Sequence, residues 1–186
     1  MRILVQKFGG TSVATPERRA QVAAKVSEAV SHGYSPVVVV SAIGRAGDPY
    51  ATDTFIKMVS SIYSEFPKRE MDLLLSCGEI ISGAVMVSTL QSFGMEAVLF
   101  TGAQAGIITN NCFGDARIIR VEPERIIKQL EEGKVVVVTG FQGVTEDGQI
   151  TTLGRGGSDT TAAALGVALN AEAIDIYTDV EGIMTA

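Results

Sequence analysis

Short runs of β-branched residues alternate along this chain with longer segments in which apolar residues recur every three or four positions. Two of the short runs, residues 37–40 and 135–138, consist of valine alone, which is typical of strands buried on both faces of a sheet. In the longer segments the spacing favours helices, as at Val22, Val26 and Val30. This alternation predicts an α/β fold whose sheet is largely parallel and is covered by helices on both faces.

The same pattern gives approximate boundaries for the elements. The predicted strands are residues 3–8, 37–40, 97–100, 135–138, 149–153 and 173–177. The first predicted helix has Thr15 as its N-cap and Pro16 at its first position, and it ends at His32-Gly33. The other predicted helices are residues 53–64, 71–93, 122–132 and 158–169. Residues 145–148 (TEDG) predict a tight turn, so one hairpin is expected to make the sheet mixed.

The long helix at residues 71–93 carries an apolar stripe that we predict to be its buried face, formed by Leu74, Cys77, Ile81 and Val85. Cys77 is then a core thiol, and Cys112 is a loop thiol. Glu79 lies in the same helix, and the pattern leaves open whether it belongs to a solvated face or to a functional site.

Composition narrows the class of protein. The 186 residues correspond to one domain, and 15 Lys and Arg against 21 Asp and Glu give a formal charge of −6. This acidic balance weighs against nonspecific nucleic-acid binding. Two Cys and one His form neither a disulfide framework nor a transition-metal site. Since no apolar run reaches 18 residues and no signal peptide is recognisable, we expect a cytoplasmic protein without a membrane partner.

Glycines and polar residues follow the predicted strands, at residues 7–12, 41–44, 101–106, 139–143, 154–159 and 178–179. In an open α/β sheet the ligand site lies outside the carboxyl ends of the strands. If these strands are parallel, the polar turns converge on one edge and form one site there.

Two of these turns have features that suit an anion. Gly9-Gly10 permits close approach of the backbone next to Lys7, and Gly156-Gly157 precedes a predicted helix next to Arg155. Neither turn is a GxxxxGK[ST] loop or a GxGxxG fingerprint, so a P-loop enzyme and a nicotinamide dehydrogenase are both disfavoured. We predict a phosphate site. The residues alone leave open whether Lys7 is a surface lysine, whether Asp159 is only an N-cap, and whether residues 178–179 are only a strand end.

Four motifs in order carry a resemblance to a known family: residues 7–12 (KFGGTS), 76–79 (SCGE), 154–159 (GRGGSD) and 177–182 (YTDVEG). With them, the sequence from residue 2 to the end resembles the aspartate kinases of the amino-acid kinase fold family. Residues 41–45 and 48–53 are similar to the diaminopimelate-regulated, Bacillus-type members. The resemblance implies a three-layer αβα sandwich with a mostly parallel, mixed sheet.

It also implies phosphoryl transfer from Mg·ATP to the side-chain carboxylate of L-aspartate, the first step towards lysine, threonine, methionine and diaminopimelate. The residues implied to bind ATP are Lys7, Phe8, Gly9, Gly10, Ser41, Thr178 and Asp179. The residues implied to bind aspartate are Thr52, Glu79, Arg155, Gly156, Gly157 and Ser158. Lys7 and Asp159 are the implied catalytic pair, and Mg²⁺ is expected to arrive on the ATP phosphates without a protein cage.

Members of this family continue beyond the position of Ala186 into the rest of the kinase domain and regulatory ACT domains. We therefore expect residues 1–186 to be the N-terminal major part of a catalytic domain, with the fold incomplete at its C-terminus, the ACT domains absent and activity in doubt. The full-length enzyme is expected to be a homo-oligomer. Two alternatives stay open: another amino-acid kinase, such as glutamate 5-kinase or acetylglutamate kinase, and a catalytically silent nucleotide- or metabolite-binding module.

Overall fold

A computed structural model describes residues 1–178, which form nine strands and five α-helices. The strands are β1 (Arg2–Phe8), β2 (Tyr34–Val40), β3 (Ala97–Phe100), β4 (Ile107–Thr109), β5 (Ile118–Val121), β6 (Val135–Thr139), β7 (Gln142–Val144), β8 (Ile150–Thr152) and β9 (Ala173–Tyr177). The helices are α1 (Pro16–Ser31), α2 (Thr52–Ser60), α3 (Lys68–Ser92), α4 (Glu124–Glu131) and α5 (Gly157–Ala168). The six predicted strands and five predicted helices are all present, with ends that differ by a few residues.

The main sheet has five parallel strands in the order β3-β6-β2-β1-β9. Alternate residues of its strands point to opposite faces, so that Val37 and Val39 pack with α4 and α5 while Val38 and Val40 pack with α1 and α3. Both valine runs are buried on both faces, as predicted. The result is the predicted three-layer αβα arrangement, with the carboxyl ends of the five strands at one edge.

The predicted hairpin is present, but the prediction that it belongs to the main sheet is wrong. β7 and β8 pair antiparallel in a second, four-stranded sheet of order β5-β4-β7-β8, which is the mixed one. Three of its strands, β4, β5 and β7, were not predicted, because each has only three or four residues and includes a polar residue, so that no continuous apolar run or period marks it. This second sheet places the end of β8 next to the edge of the main sheet.

The predicted start of α1 is confirmed in detail. Thr15 has extended backbone, and its side-chain oxygen accepts a hydrogen bond from the N–H of Arg18 at 3.3 Å. Pro16 occupies the first helical position, where its missing N–H costs nothing.

The predicted buried face of α3 is wrong. Leu74, Ile81 and Val85 are only half-buried, and Cys77 is exposed rather than a core thiol. Small, polar and apolar residues share the face that is buried: Asp72, Leu75, Ser76, Gly78, Glu79, Ser82, Gly83, Met86 and Leu90. The reason is close packing, since a Cβ at Gly83 would lie 2.4 Å from Leu99 of β3. With glycine at this position, the Leu99 side chain can pack directly against the helix backbone.

Within residues 1–178, α3 is the one helix that could cross a membrane on grounds of length and composition. A long core helix meets the same test, and α3 packs its buried face on the main sheet, with the carboxylates of Asp72 and Glu79 inside the protein.

Candidate active site

A cavity of about 330 Å³ lies at the carboxyl ends of β1 and β2, between the start of α2, the buried face of α3 and the start of α5. The structure brings ten of the predicted site residues to its wall: Lys7, Gly10, Ser41, Thr52, Glu79, Arg155, Gly156, Gly157, Ser158 and Asp159. They come from the end of β1, from the loops after β1, β2 and β8, and from the helices α2, α3 and α5, so tertiary packing assembles the site.

Lys7 and Asp159 form an ion pair at one end of the cavity, with 2.7 Å between Lys7 Nζ and Asp159 Oδ1. Lys7 extends from β1 on the α5 side of the main sheet, and its side chain is nearly buried. Asp159 lies in the first turn of α5 and is half-exposed. The pair fixes the Lys7 ammonium at the cavity wall, where it can contact a bound anion.

The start of α5 forms the adjoining wall. Gly156, its N-cap, has φ of 74°, a left-handed backbone conformation that favours glycine, and Gly154 has φ of 73°. A Cβ at Gly157 would come within 2.8 Å of the Phe141 ring, so this position also excludes a side chain. Arg155 stands between the two left-handed glycines and is exposed. The positive end of the α5 dipole and two cationic side chains therefore meet at this end of the cavity.

The wall opposite these cations contains the buried carboxyl group of Glu79. Only 2% of this residue is exposed, and one carboxylate oxygen, Oε1, accepts a hydrogen bond from the N–H of Ala42 at 3.1 Å. The other, Oε2, is buried without a hydrogen-bond partner among the described residues. Burial raises the pKa of Glu79 to about 8, and the Ala42 N–H opposes that rise in part. Such a group is suited to a ligand that brings its own positive charge.

The absence of a side chain at Gly10 allows the loop after β1 to reach this site. A Cβ there would lie 2.4 Å from the carbonyl oxygens of both Ala42 and Gly44. The loop after β1 and the loop after β2 therefore touch backbone to backbone, which brings Ser41 and Lys7 to the same cavity.

The profile of the amino acid kinase family matches residues 2–186. This chain belongs to the amino acid kinase family. Over its 186 residues it is 55% identical to Aspartokinase 1 of Bacillus subtilis, of which it covers 46%, and 48% identical to an aspartokinase of Mycobacterium tuberculosis, of which it covers 43%. The chain thus spans less than half the length of these curated relatives.

Solved structures agree with this assignment. Aspartate kinase from Synechocystis superposes with a TM-score of 0.78 at 45% identity, over 95% of this chain and 28% of that one. Escherichia coli aspartokinase III in complex with aspartate and ADP superposes with a TM-score of 0.76 at 28% identity, over 98% of this chain and 50% of that one. The resemblance inferred from the four motifs is confirmed, and so is the fold class.

Three residues predicted to bind ATP do not line the cavity. Gly9 lies beside Lys7, and a Cβ there would be 3.8 Å from Lys7 Nζ. Phe8 points to the other face of the sheet, where it is buried and its ring stacks on Tyr177 with 4.6 Å between centroids. Phe8 and Thr178 line a separate cavity of about 540 Å³. Asp179, the last of the predicted nucleotide contacts, lies outside the described residues.

The cavity wall also contains residues that the sequence analysis did not single out, among them Ala42, Arg45, Asp53 and Phe141. Arg45 could have been noticed, since it is a cation directly after a strand end and its loop. Phe141 could not have been identified from the sequence. Its backbone has φ of 70°, a conformation that is unusual for a non-glycine residue and that no sequence signal marks.

The resemblance implies an Mg²⁺ ion bound with the nucleotide, and the carboxylates of Asp53, Glu79 and Asp159 line the cavity. Glu79 and Asp159 already have a backbone partner and an ion-pair partner, and the described residues contain no group of three or more His, Cys, Asp or Glu that could hold a metal. Mg²⁺ is commonly held by one or two carboxylates together with substrate phosphates and water, and the residues of this cavity are compatible with an ion carried by a nucleotide.

Proposed function

We propose that residues 1–186 form one catalytic domain, or the larger part of it, of an aspartate kinase, which transfers the γ-phosphoryl group of ATP to the side-chain carboxylate of L-aspartate. The observation that carries this proposal is the contrast between two walls of one cavity. A buried carboxylate oxygen without a partner faces it from α3, whereas Lys7, Arg155 and the start of α5 face it from the other side. The relatives named above, one of them solved with aspartate and ADP, support the same assignment.

L-Aspartate is complementary to these walls. Its ammonium group would donate a hydrogen bond to Glu79 Oε2, which is buried without a partner, and would provide a positive charge next to the ionised carboxylate. One of its carboxylates would accept a bidentate contact from the Arg155 guanidinium. The Thr52 hydroxyl, with Gly156, Gly157 and Ser158, would complete the amino-acid end of the pocket.

The phosphates of ATP would lie next to this amino-acid subsite, near Lys7, Gly9, Gly10 and Ser41. Asp159 orients the Lys7 ammonium there, and the α5 dipole adds a fixed positive potential. We propose that Phe8, Thr178 and Asp179 contribute on the nucleotide side. Mg²⁺ would supply further charge neutralisation of the phosphates.

The reaction requires positioning more than proton transfer. The side-chain carboxyl of aspartate has a pKa near 3.9 in water, so the nucleophile is already ionised at neutral pH and needs no general base. A carboxylate oxygen attacks the γ-phosphorus, the bond to the bridging oxygen of ADP breaks, and 4-phospho-L-aspartate results. Two anions must meet in this step, so Lys7 and Arg155 act by holding them together and stabilising the developing charge.

The product would enter lysine, threonine, methionine and diaminopimelate biosynthesis in the cytoplasm, and we propose a homo-oligomeric enzyme. Among the alternatives, an N-acetylated amino acid is disfavoured because it has no ammonium to pair with Glu79. Glutamate keeps the ammonium and differs by one methylene, so the choice between aspartate and glutamate has to be measured.

Trapping of the acyl phosphate with hydroxylamine tests the proposal directly. With Mg·ATP, the 186-residue chain and a chain extended past Ala186 are given L-aspartate, L-glutamate or N-acetyl-L-glutamate. We expect hydroxamate from L-aspartate alone. Equal product from L-glutamate would favour another amino-acid kinase, and saturable binding without product from either chain would favour a silent binding module.

Lys7→Ala is the matched inactive variant for this assay. Loss of a preorganised cation at the transferred phosphoryl group is expected to lower the turnover number by about 10²–10³-fold. Thermal unfolding should stay close to that of the parent, because the half-exposed Asp159 left behind can be solvated. An active Lys7→Ala protein would contradict the role given to Lys7.

A further inference from the structure

Asp72 is a buried carboxylate on α3 that makes no direct contact with the cavity. It is fully buried and accepts three hydrogen bonds. Its Oδ2 accepts from the N–H of Gly114 at 3.0 Å and from the N–H of Thr152 at 2.9 Å, and its Oδ1 accepts from Thr152 Oγ1 at 2.8 Å. Within residues 1–178 it has no ion pair, so hydrogen bonds alone compensate for its burial.

The donors to Asp72 come from the strand that precedes the Arg155 loop and from a second segment that contacts this loop. Thr152 is the last residue of β8, and the chain turns at Gly154 two residues later. Gly114 belongs to the segment on which this turn rests, since a Cβ at Gly154 would lie 2.6 Å from Asp115 Oδ1 and 3.5 Å from the Gly114 carbonyl oxygen. Asp72 therefore holds both the strand that enters the loop and the surface that supports it.

The same helix presents Glu79 to the cavity. Asp72 and Glu79 are seven residues apart, which corresponds to two helical turns, about 10.5 Å along one face of α3. Between them, the Ser76 carbonyl accepts a hydrogen bond from Gln142 Nε2 of β7 at 3.0 Å. The second sheet is thus joined to α3 along the same face that carries Glu79.

We propose that Asp72 is a positioning residue that fixes the Arg155 loop relative to Glu79, and so sets the separation of the two groups that would bind the amino-acid substrate. This inference rests on the proposed function. A helix that only needed to pack on the second sheet could do so with an apolar residue. A carboxylate that binds two backbone N–H groups and one hydroxyl instead specifies where β8 ends.

Four variants test the proposal in the full chain that carries residues 1–186. Asp72→Ala removes all three bonds and leaves the buried Thr152 N–H and the part-buried Gly114 N–H without their partner. Asp72→Asn keeps an oxygen for both N–H groups and is the conservative rescue. Thr152→Val removes only the hydroxyl bond to Asp72. Thr151→Val is its matched control, because the neighbouring Thr151 is equally buried and its hydroxyl bonds to Thr109 Oγ1 instead.

We expect the KM for L-aspartate to rise roughly tenfold or more in Asp72→Ala and roughly threefold in Thr152→Val, with the KM for ATP within about twofold of the parent. Asp72→Asn should stay within about threefold for both substrates, and Thr151→Val should leave both values unchanged. Amide hydrogen exchange in residues 153–157 should accelerate in Asp72→Ala and Thr152→Val but not in Thr151→Val.

Different results are expected if Asp72 contributes only to the stability of the fold. If Asp72→Ala unfolds at lower temperature yet keeps the parent KM for L-aspartate, or if Thr151→Val and Thr152→Val raise that KM equally, the proposal is wrong. Failure of the proposed function is separable, since the parent would then yield no hydroxamate from L-aspartate. The exchange of residues 153–157 would still report whether Asp72 fixes the loop.

Discussion

At the scale of single residues, Glu79 is the most unusual group of the site. Its carboxyl is buried, has one backbone donor and one oxygen without a partner, and burial raises its pKa to about 8. The sequence places Glu79 in an SCGE motif inside a helix, which left a solvated face and a functional role equally open. Burial decides between them, and burial depends on how α3 is rotated against the sheet.

The raised pKa predicts how stability depends on pH. A carboxyl that titrates near 4.5 in the unfolded chain and near 8 in the folded protein is ionised first in the unfolded state, so the free energy of unfolding falls as pH rises from 4.5 to 8. Glu79→Gln removes this titration and should be more stable than the parent by about 2–5 kcal/mol at pH 9, with the difference vanishing below pH 4.5.

Urea denaturation across this pH range measures the effect. Glu131→Gln, on the exposed side of α4, is the control for the loss of a carboxylate from the surface. A constant difference between Glu79→Gln and the parent from pH 4.5 to 9 would contradict the raised pKa.

At the scale of elements, α3 shows how a helix can be identified from sequence while its buried face is not. The apolar period is real, and the length of the helix was predicted to within a few residues. The face towards the sheet is nevertheless chosen by small residues that permit close approach and by polar residues that find partners in the second sheet. Neither property raises local hydrophobicity, so periodicity points to the wrong face.

Substitution of glycine by alanine is expected to have different effects on stability at two positions of this face, Gly83 and Gly78. Glycine to alanine gains about 1 kcal/mol of helix propensity at either position. At Gly83 the new Cβ would meet the movable end of the Leu99 side chain, and the net change in the free energy of unfolding should be small. At Gly78 it would lie 2.9 Å from the Ala42 Cβ, which is fixed to the backbone, so Gly78→Ala should destabilise by about 1–3 kcal/mol.

Urea denaturation of both variants under identical conditions checks this pair. Gly78→Ala should also weaken L-aspartate binding, because Ala42 donates to Glu79. Equal stability of the two variants would show that α3 can move away from Ala42 at no cost.

At the scale of the whole molecule, the candidate site joins three parts of the fold. Lys7 extends from the main sheet, Glu79 from α3, and Arg155 from the loop after β8 of the second sheet. A substrate that bridges Glu79 and Arg155 therefore links the two sheets through α3, and its binding should stabilise the entire chain.

Thermal unfolding with increasing L-aspartate tests this consequence. We expect a rise in the unfolding temperature that corresponds to about 2.7 kcal/mol at a concentration one hundred times Kd. Arg155→Ala should unfold like the parent without ligand, because Arg155 is exposed, but should lose most of the response to L-aspartate. A full response in Arg155→Ala would remove Arg155 from the amino-acid end of the site.

The sequence by itself determined the alternation of strands and helices, the two doubly buried valine strands and the loops that follow the strands. These are local properties, set by side-chain periodicity, β-branching and glycine conformation, and they predicted that the loops after the parallel strands converge on one site. The assignment of Thr52 and Glu79 to that site came from the resemblance alone. Only the tertiary structure decided the face of α3, the second sheet, the burial of Glu79 and the separation of Phe8 and Thr178 from the cavity. Those features depend on which surfaces meet across long sequence separations, where close packing and the pairing of buried polar groups outweigh local hydrophobicity.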